Sequence, residues 1–116
     1  MAGFSRGDVV KVPFPYTDRS TRQSRPALVV SSNELADLHG LLWVLMITSA
    51  ANRGWPGDVA INVLSGTGLP VASIVRTAKI ATIEARDAVS LGKLPSAIWR
   101  KVQDKLALET GHSATR

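Results

Sequence analysis

Cysteine is absent from the 116-residue chain. That absence excludes disulfides, thiolate metal sites, iron–sulfur clusters and a cysteine nucleophile together. Histidine is scarce: His39 lies in a turn-rich segment and His112 close to the C-terminus. So placed, the two read as solvated surface groups, and no metal site or cofactor is expected of the chain. A Ser-His-Asp triad fails for the same reason, and there is no Gly-x-Ser-x-Gly elbow. Long apolar runs are missing as well. The longest, Leu41 to Ile47, is far short of the roughly 20 residues that span a bilayer, and Met1 to Asp8 carry no apolar core of a signal peptide. No membrane association and a cytoplasmic location are the expectations. Gly66-Thr67-Gly68 lacks the third glycine and the following helix of a dinucleotide fingerprint and reads as a hairpin turn. The carboxylates are scattered singly, which argues against a glycosidase or an aspartic protease.

What the chain does have is positive charge. Lys and Arg number 14 against 9 Asp and Glu, a formal net charge of +5. Such a balance suits a partner bearing phosphates or carboxylates, and it equally suits solubility alone. The distribution adds to this: Arg19, Arg22 and Arg25 fall in or beside Thr17 to Ser24, a stretch with almost no apolar residue. An exposed basic loop is expected there.

Hydrophobic residues at 45% and charged residues at 20% describe one globular domain spanning residues 1–116. A β-branched run ends at Val12 before Pro13-Phe14-Pro15, and a second apolar run, Ala27 to Ser31, follows Arg25-Pro26. Arg25 therefore sits at the mouth of the second strand. A single helical turn over Glu34 to Leu38 precedes the third strand from Leu41, which reads as buried on both faces. Asp58 to Leu64 alternates as a half-buried strand, and Ala72 to Val75 and Ala78 to Ile83 read as two more. After Pro95 and Ser96, the residues Ile98, Trp99, Val102 and Leu106 recur at helical spacing, with Gly111 as a stop. The fold expected is mainly β (α+β): a small, strongly bent sheet or partly open barrel closed by a C-terminal helix. Residues 112–116 are expected to fray.

The chemistry left to these residues is a cation and hydroxyls at strand ends: Arg25, Thr48 and Ser49. An arginine fork grips a phosphate through two parallel hydrogen bonds, and a hydroxyl donates a third. The same residues in a purely structural role would cap backbone groups or face water. Trp55, in the adjacent loop, either stacks on a nucleobase or folds its loop onto the core.

At these positions the chain resembles a known family. Arg6-Gly7-Asp8-Val9-Val10-Lys11-Val12-Pro13-Phe14-Pro15-Tyr16-Thr17-Asp18, then Arg25-Pro26-Ala27-Leu28-Val29-Val30-Ser31, then Ile47-Thr48-Ser49 are similar to the PemK/MazF toxins of bacterial toxin–antitoxin systems. Ser73 to Ile83 and Gly92-Lys93-Leu94 are similar to that family's closing segments, so the resemblance covers residues 6–108. It implies an SH3-like barrel of strongly bent antiparallel strands with a C-terminal helix, a homodimer, and a metal-independent endoribonuclease selective for sequences in single-stranded RNA. By the same resemblance the catalytic residues are Arg25 and Thr48. The implied step is attack of a ribose 2′-OH on the adjacent phosphorus, giving a 2′,3′-cyclic phosphate and a 5′-OH. The implied partners are single-stranded RNA and an antitoxin whose acidic, disordered tail folds over the basic groove.

Thr17, Arg19, Arg22, Ser49 and Trp55 are the expected RNA contacts. Arg25 suits stabilisation of phosphate charge; a base role needs a relay, because a guanidinium keeps its proton. The loop departs from the glycine-rich, Gly-Ser-Glu-Gln-like pattern of many members, having no glycine between Thr17 and Ser24. A non-catalytic relative, or one directed at DNA gyrase, is the alternative. The gyrase-directed CcdB family ends in Trp-Gly-Ile, which Ser113-Ala114-Thr115-Arg116 does not match. The core placement of the second strand predicts that Val29→Asp yields no soluble protein, since an unpaired buried charge costs several kcal/mol, roughly a domain's whole stability. Soluble protein with an unchanged melting temperature would refute the placement.

Overall fold

The computed structural model of the chain describes residues 3–14 and 23–111. Its strands are β1 (Asp8–Phe14), β2 (Gln23–Val29), β3 (Leu41–Ser49), β4 (Val59–Ile61), β5 (Ser73–Glu84) and β6 (Val89–Lys93). They form one antiparallel sheet in the order β4-β5-β3-β2-β1-β6. Two helices complete the described residues: α1 (Asn33–His39) between β2 and β3, and α2 (Ser96–Glu109) after β6. The mainly β barrel-like sheet with a C-terminal helix is the architecture expected from the sequence.

Alternation along the strands divides the apolar residues between two clusters, because successive side chains of a strand point to opposite faces. Val9, Leu28, Leu45, Ile47 and Val75 pack with Ile98 and Val102 of α2, and Trp99 and Leu106 lie against this cluster. Val10, Val12, Ala27, Val29, Val44 and Met46 pack on the other face with Ala36 of α1. Both faces of β3 are thus covered along Val44 to Ile47, which is why that strand reads as a continuous apolar run. Val29 is buried, and Arg100, Lys101 and Asp104 are exposed, as their spacing predicts.

Sharp bending comes from irregular pairing. Across β3 and β5, Leu45 pairs with Ile80 while Met46 pairs with Arg76, so Thr77, Ala78 and Lys79 are extra residues on β5. Extra residues on one strand of an antiparallel pair bend it and increase its twist. The two strands expected on either side of residue 77 are therefore one twelve-residue strand with a bulge.

Other expectations are also corrected. β1 passes through Pro13 and β2 through Pro26, both positions with pairing on one side only. β6 pairs with β1 no further than Lys11, and β3 pairs with β2 no further than Ala27. A proline is tolerated there because no second ladder needs its missing N–H. Gln23 and Ser24 belong to β2 and not to the loop. The single turn expected over Glu34 to Leu38 is a seven-residue helix ended by Gly40 in the left-handed region (φ 66°), whose N–H donates to Ala36 O at 2.8 Å. The fourth strand is confined to Val59–Ile61, and β6 was not anticipated, since Val89-Ser90-Leu91-Gly92-Lys93 has little apolar alternation. The expected basic loop lies outside the described residues from 15 to 22, as does the expected fraying at 112–116.

The Gly66–Gly68 turn packs against β6 instead of making a tight hairpin. Lys93 N–H donates to Gly66 O at 2.9 Å, and a Cβ on Gly92 would collide with Gly66 O and with Thr67 C at 2.6 Å. Gly92→Ala should therefore cost about 2 kcal/mol through overpacking against backbone that cannot yield. Gly40→Ala meets nothing within 4 Å and pays only for its positive φ, about 1 kcal/mol. Thermal unfolding of the two variants tests this: a larger loss for Gly40→Ala would overturn the packing account.

Candidate functional site

The end of β3, the turn after it and the bulge of β5 converge on one group of polar side chains. The β2–β3 register pairs Ala27 with Met46. Arg25 and Thr48 each lie one side-chain period beyond that last pair, and alternation puts both on the face of Val12, Ala27 and Met46. Across the other edge of β3, Thr48 pairs with Ile74 and Met46 with Arg76, so Arg76 shares this face diagonally from Thr48. Arg25 and Thr48 are half-buried, and the Nε atom of Arg25 is shielded from solvent. Here the apolar face of the second cluster gives way to polar groups, and the two residues to which the resemblance assigns catalysis share that face.

The loop from Ser49 to Asp58 is organised around a charge pair. Arg76 donates from Nε to Asp58 Oδ1 (3.2 Å) and from NH2 to Asp58 Oδ2 (3.0 Å). Both side chains are 9% exposed. Asp58 Oδ2 also accepts the backbone N–H of Trp55 (3.1 Å) and of Gly54 (3.3 Å). Arg76 NH2 reaches the carbonyl of Asn52 at 2.7 Å, and the Asn52 amide Nδ2 donates to Thr48 Oγ1 at 2.9 Å. A fork with fixed donor directions can hold a carboxylate and a carbonyl at once, which a lysine could not do with the same geometry.

Trp55 is pinned by the same arginine. The Arg76 guanidinium carbon lies 4.5 Å from its ring centroid and Lys79 Nζ 5.9 Å from it, both within cation–π range. The indole remains 45% exposed. Its loop is thus folded down while the ring keeps an open surface, so the two sequence readings of Trp55 do not exclude each other. Ser49 is exposed, and its Oγ accepts the Ala51 N–H at 3.2 Å, starting the 3-10 turn Ala50–Asn52. That is the capping role weighed for strand-end hydroxyls. Thr17, Arg19 and Arg22 lie outside the described residues.

Asn52, Asp58 and Arg76 were not among the residues singled out by sequence. The available signal was an arginine inside an apolar strand, Ile74-Val75-Arg76, since a charge so placed needs a partner. Among the described residues no group of three or more His, Asp or Glu side chains could hold a metal ion, and no helix is long and apolar enough to cross a membrane.

Comparison with known proteins identifies the family and agrees with the fold. A family model described as PemK-like, MazF-like toxin of type II toxin–antitoxin systems matches residues 5–109. A crystal structure of MazF from Deinococcus radiodurans superposes with a TM-score of 0.75 at 26% identity, covering 92% of this chain and 96% of that one. A MazE–MazF crystal structure from the same organism gives a TM-score of 0.72 at 27% identity, covering 94% and 96%. An endoribonuclease from Mycobacterial species, in complex with its cognate antitoxin, shares the fold at a TM-score of 0.74 and 23% identity, covering 97% and 98%. No curated protein sequence gives a significant match.

The Asp58 carboxyl responds to opposing influences. Burial pushes its pKa up, but the hydrogen bond and charge of Arg76 and the N–H groups of Trp55 and Gly54 outweigh burial and hold it below the ordinary 3.8. A depressed carboxyl contributes stability that is present above its unfolded value and lost as pH falls through its folded one. The Gly54 and Trp55 amide resonances should therefore titrate with a midpoint below 3.8. A midpoint above that value would contradict the clamp. Asp58→Ala at neutral pH should cost about 3 kcal/mol, because it strands a buried guanidinium.

Proposed function

Because the chain belongs to the PemK-like, MazF-like toxins of type II toxin–antitoxin systems, we propose that it is an endoribonuclease that cuts single-stranded RNA, such as messenger RNA, at selected sequences and without a metal. The observation that supports this reading is the strand register, in which Arg25 and Thr48 each lie one side-chain period beyond the paired Ala27 and Met46, on the same face of the sheet.

In the proposed reaction the ribose 2′-oxygen attacks the adjacent phosphorus and loses its proton. The bond from phosphorus to the 5′-oxygen breaks, and that oxygen takes up a proton. The products are a 2′,3′-cyclic phosphate and a 5′-OH. DNA is spared because it lacks the nucleophile. Arg25 spans two non-bridging oxygens with its guanidinium, and Thr48 donates its hydroxyl proton to the same phosphate. Both contacts strengthen as negative charge accumulates in the transition state, which is what lowers the barrier. Arg25 acts through charge, since a guanidinium does not release its proton.

Around this centre Trp55 offers a stacking surface for a base, Ser49 a hydroxyl, and Thr17, Arg19 and Arg22 contacts along the RNA backbone. The protein is a single domain that works in the cytoplasm on its RNA. Its second partner is an antitoxin with an acidic, disordered tail that covers the basic surface, a reading supported by the MazE–MazF complexes among its structural relatives. The functional unit is a homodimer. In the single chain Trp43 and Ile80, 47% and 54% exposed, leave apolar surface on β3 and β5 that a second copy would cover.

Mixed-sequence single-stranded RNA incubated with the protein in excess chelator should give fragments with 5′-OH and cyclic-phosphate ends. Arg25→Ala should lower the rate by about 100-fold or more, as loss of an oxyanion donor does, with an unchanged circular dichroism spectrum. RNA left intact by the unsubstituted protein would instead favour a non-catalytic or gyrase-directed relative on the same fold.

A further inference from the structure

We propose that Asn52 is a positioning residue that fixes the direction of the Thr48 hydroxyl. The proposal rests on the reading above, in which Thr48 donates to the scissile phosphate. A hydroxyl has one proton and two acceptor lone pairs, and it rotates to suit its neighbours. Asn52 Nδ2 donates to Thr48 Oγ1 at 2.9 Å and occupies one of those lone pairs. The Thr48 proton is then directed away from Asn52, and the hydroxyl is presented as a donor. With no donor at this place the same hydroxyl could turn its proton toward a protein or water oxygen and meet the phosphate with a lone pair. That arrangement repels the oxygens it ought to stabilise.

The way Asn52 is held argues for design over chance contact. It ends the 3-10 turn Ala50–Asn52, whose first N–H donates to the carbonyl of Ala72, the residue before β5, at 3.0 Å and whose start is capped by Ser49. Its carbonyl is gripped by Arg76 NH2 at 2.7 Å, and Arg76 is itself locked by two hydrogen bonds to Asp58. A relay of fixed groups thus runs from Asp58 through Arg76 and Asn52 to Thr48. The buried ion pair sits at its base, and the solvent-facing amide sits at its tip. Preorganisation of this kind matters because a donor that must rotate during the reaction spends part of its stabilisation on that rotation.

The test uses the full-length protein with Asn52→Ala, Asn52→Asp and Thr48→Val, singly and with each Asn52 variant combined with Thr48→Val, in single-turnover and steady-state RNA cleavage. Asn52→Ala should lower kcat about tenfold, the equivalent of one lost hydrogen bond, with KM changed less than about twofold. Asn52→Asp should lower it further, since a carboxylate only accepts and draws the Thr48 proton to itself. Neither should change the rate further once Thr48 is Val. In the unsubstituted protein the Asn52 side-chain amide proton bonded to Thr48 should resonate downfield of its position in a free amide, and Thr48→Val should return it there. An Asn52→Ala enzyme with unchanged kcat, or one whose loss persists in the Thr48→Val background, overturns the proposal. So does a fall in melting temperature as large as that of Asp58→Ala, which would make Asn52 a loop brace only. Thr48→Val with full activity instead overturns the assignment of Thr48 itself, a separate result.

Discussion

Arg76 and Asp58 form the interaction on which the candidate site depends. Taking two charges out of water is costly, and a buried pair repays that cost only when its geometry is good and its remaining donors and acceptors are used. Both conditions are met here. Asp58 accepts from the guanidinium and from two backbone N–H groups, and Arg76 spends a further donor on the Asn52 carbonyl. The bonds from Arg76 tie the loop after β3 to β5 and the two N–H bonds to Asp58 close the loop on itself, so the pair converts a glycine- and proline-containing loop into a defined wall. Trp55 lies on that wall because the guanidinium face is available to it.

The surrounding sheet explains why a site opens here. β2 and β3 pair only over Ala27 to Val29. Arg25 and Thr48 lie just past the end of that ladder, on the face of Ala27 and Met46. The bulge in β5 swings Arg76 toward the same place. The apolar residues on one face pack with α2 and those on the other with Ala36 of α1. A polar, cationic end to such a face is suited to an anionic, extended ligand.

How much of this was legible in the sequence varies by element. β3 and α2 were readable because their patterns are long and periodic. Pro13 misled, since the rule against proline in a central strand concerns positions paired on both sides, and this one is paired on one. β6 escaped because an edge strand with a glycine and polar neighbours has no apolar period to read. Splitting β5 in two followed from its polar interruption at Arg76 and Thr77, which marks a bulge and not an end. Arg25 and Thr48 were reached through the ordered motifs around them, whereas Asn52 and Asp58 gave no local sign of their tasks.

The sequence by itself determined the properties that arise from neighbours in the chain: which segments alternate, where α2 begins, the absence of thiol chemistry and the excess of positive charge. These depend on periodicity, backbone preference and composition, all of which are local. Tertiary structure alone decided which distant residues meet. Arg76 finds Asp58 across 18 positions and Asn52 across 24. Those meetings rest on strand register and on three extra residues in β5. A slip of one residue would send every side chain to the opposite face, and no local pattern encodes that choice.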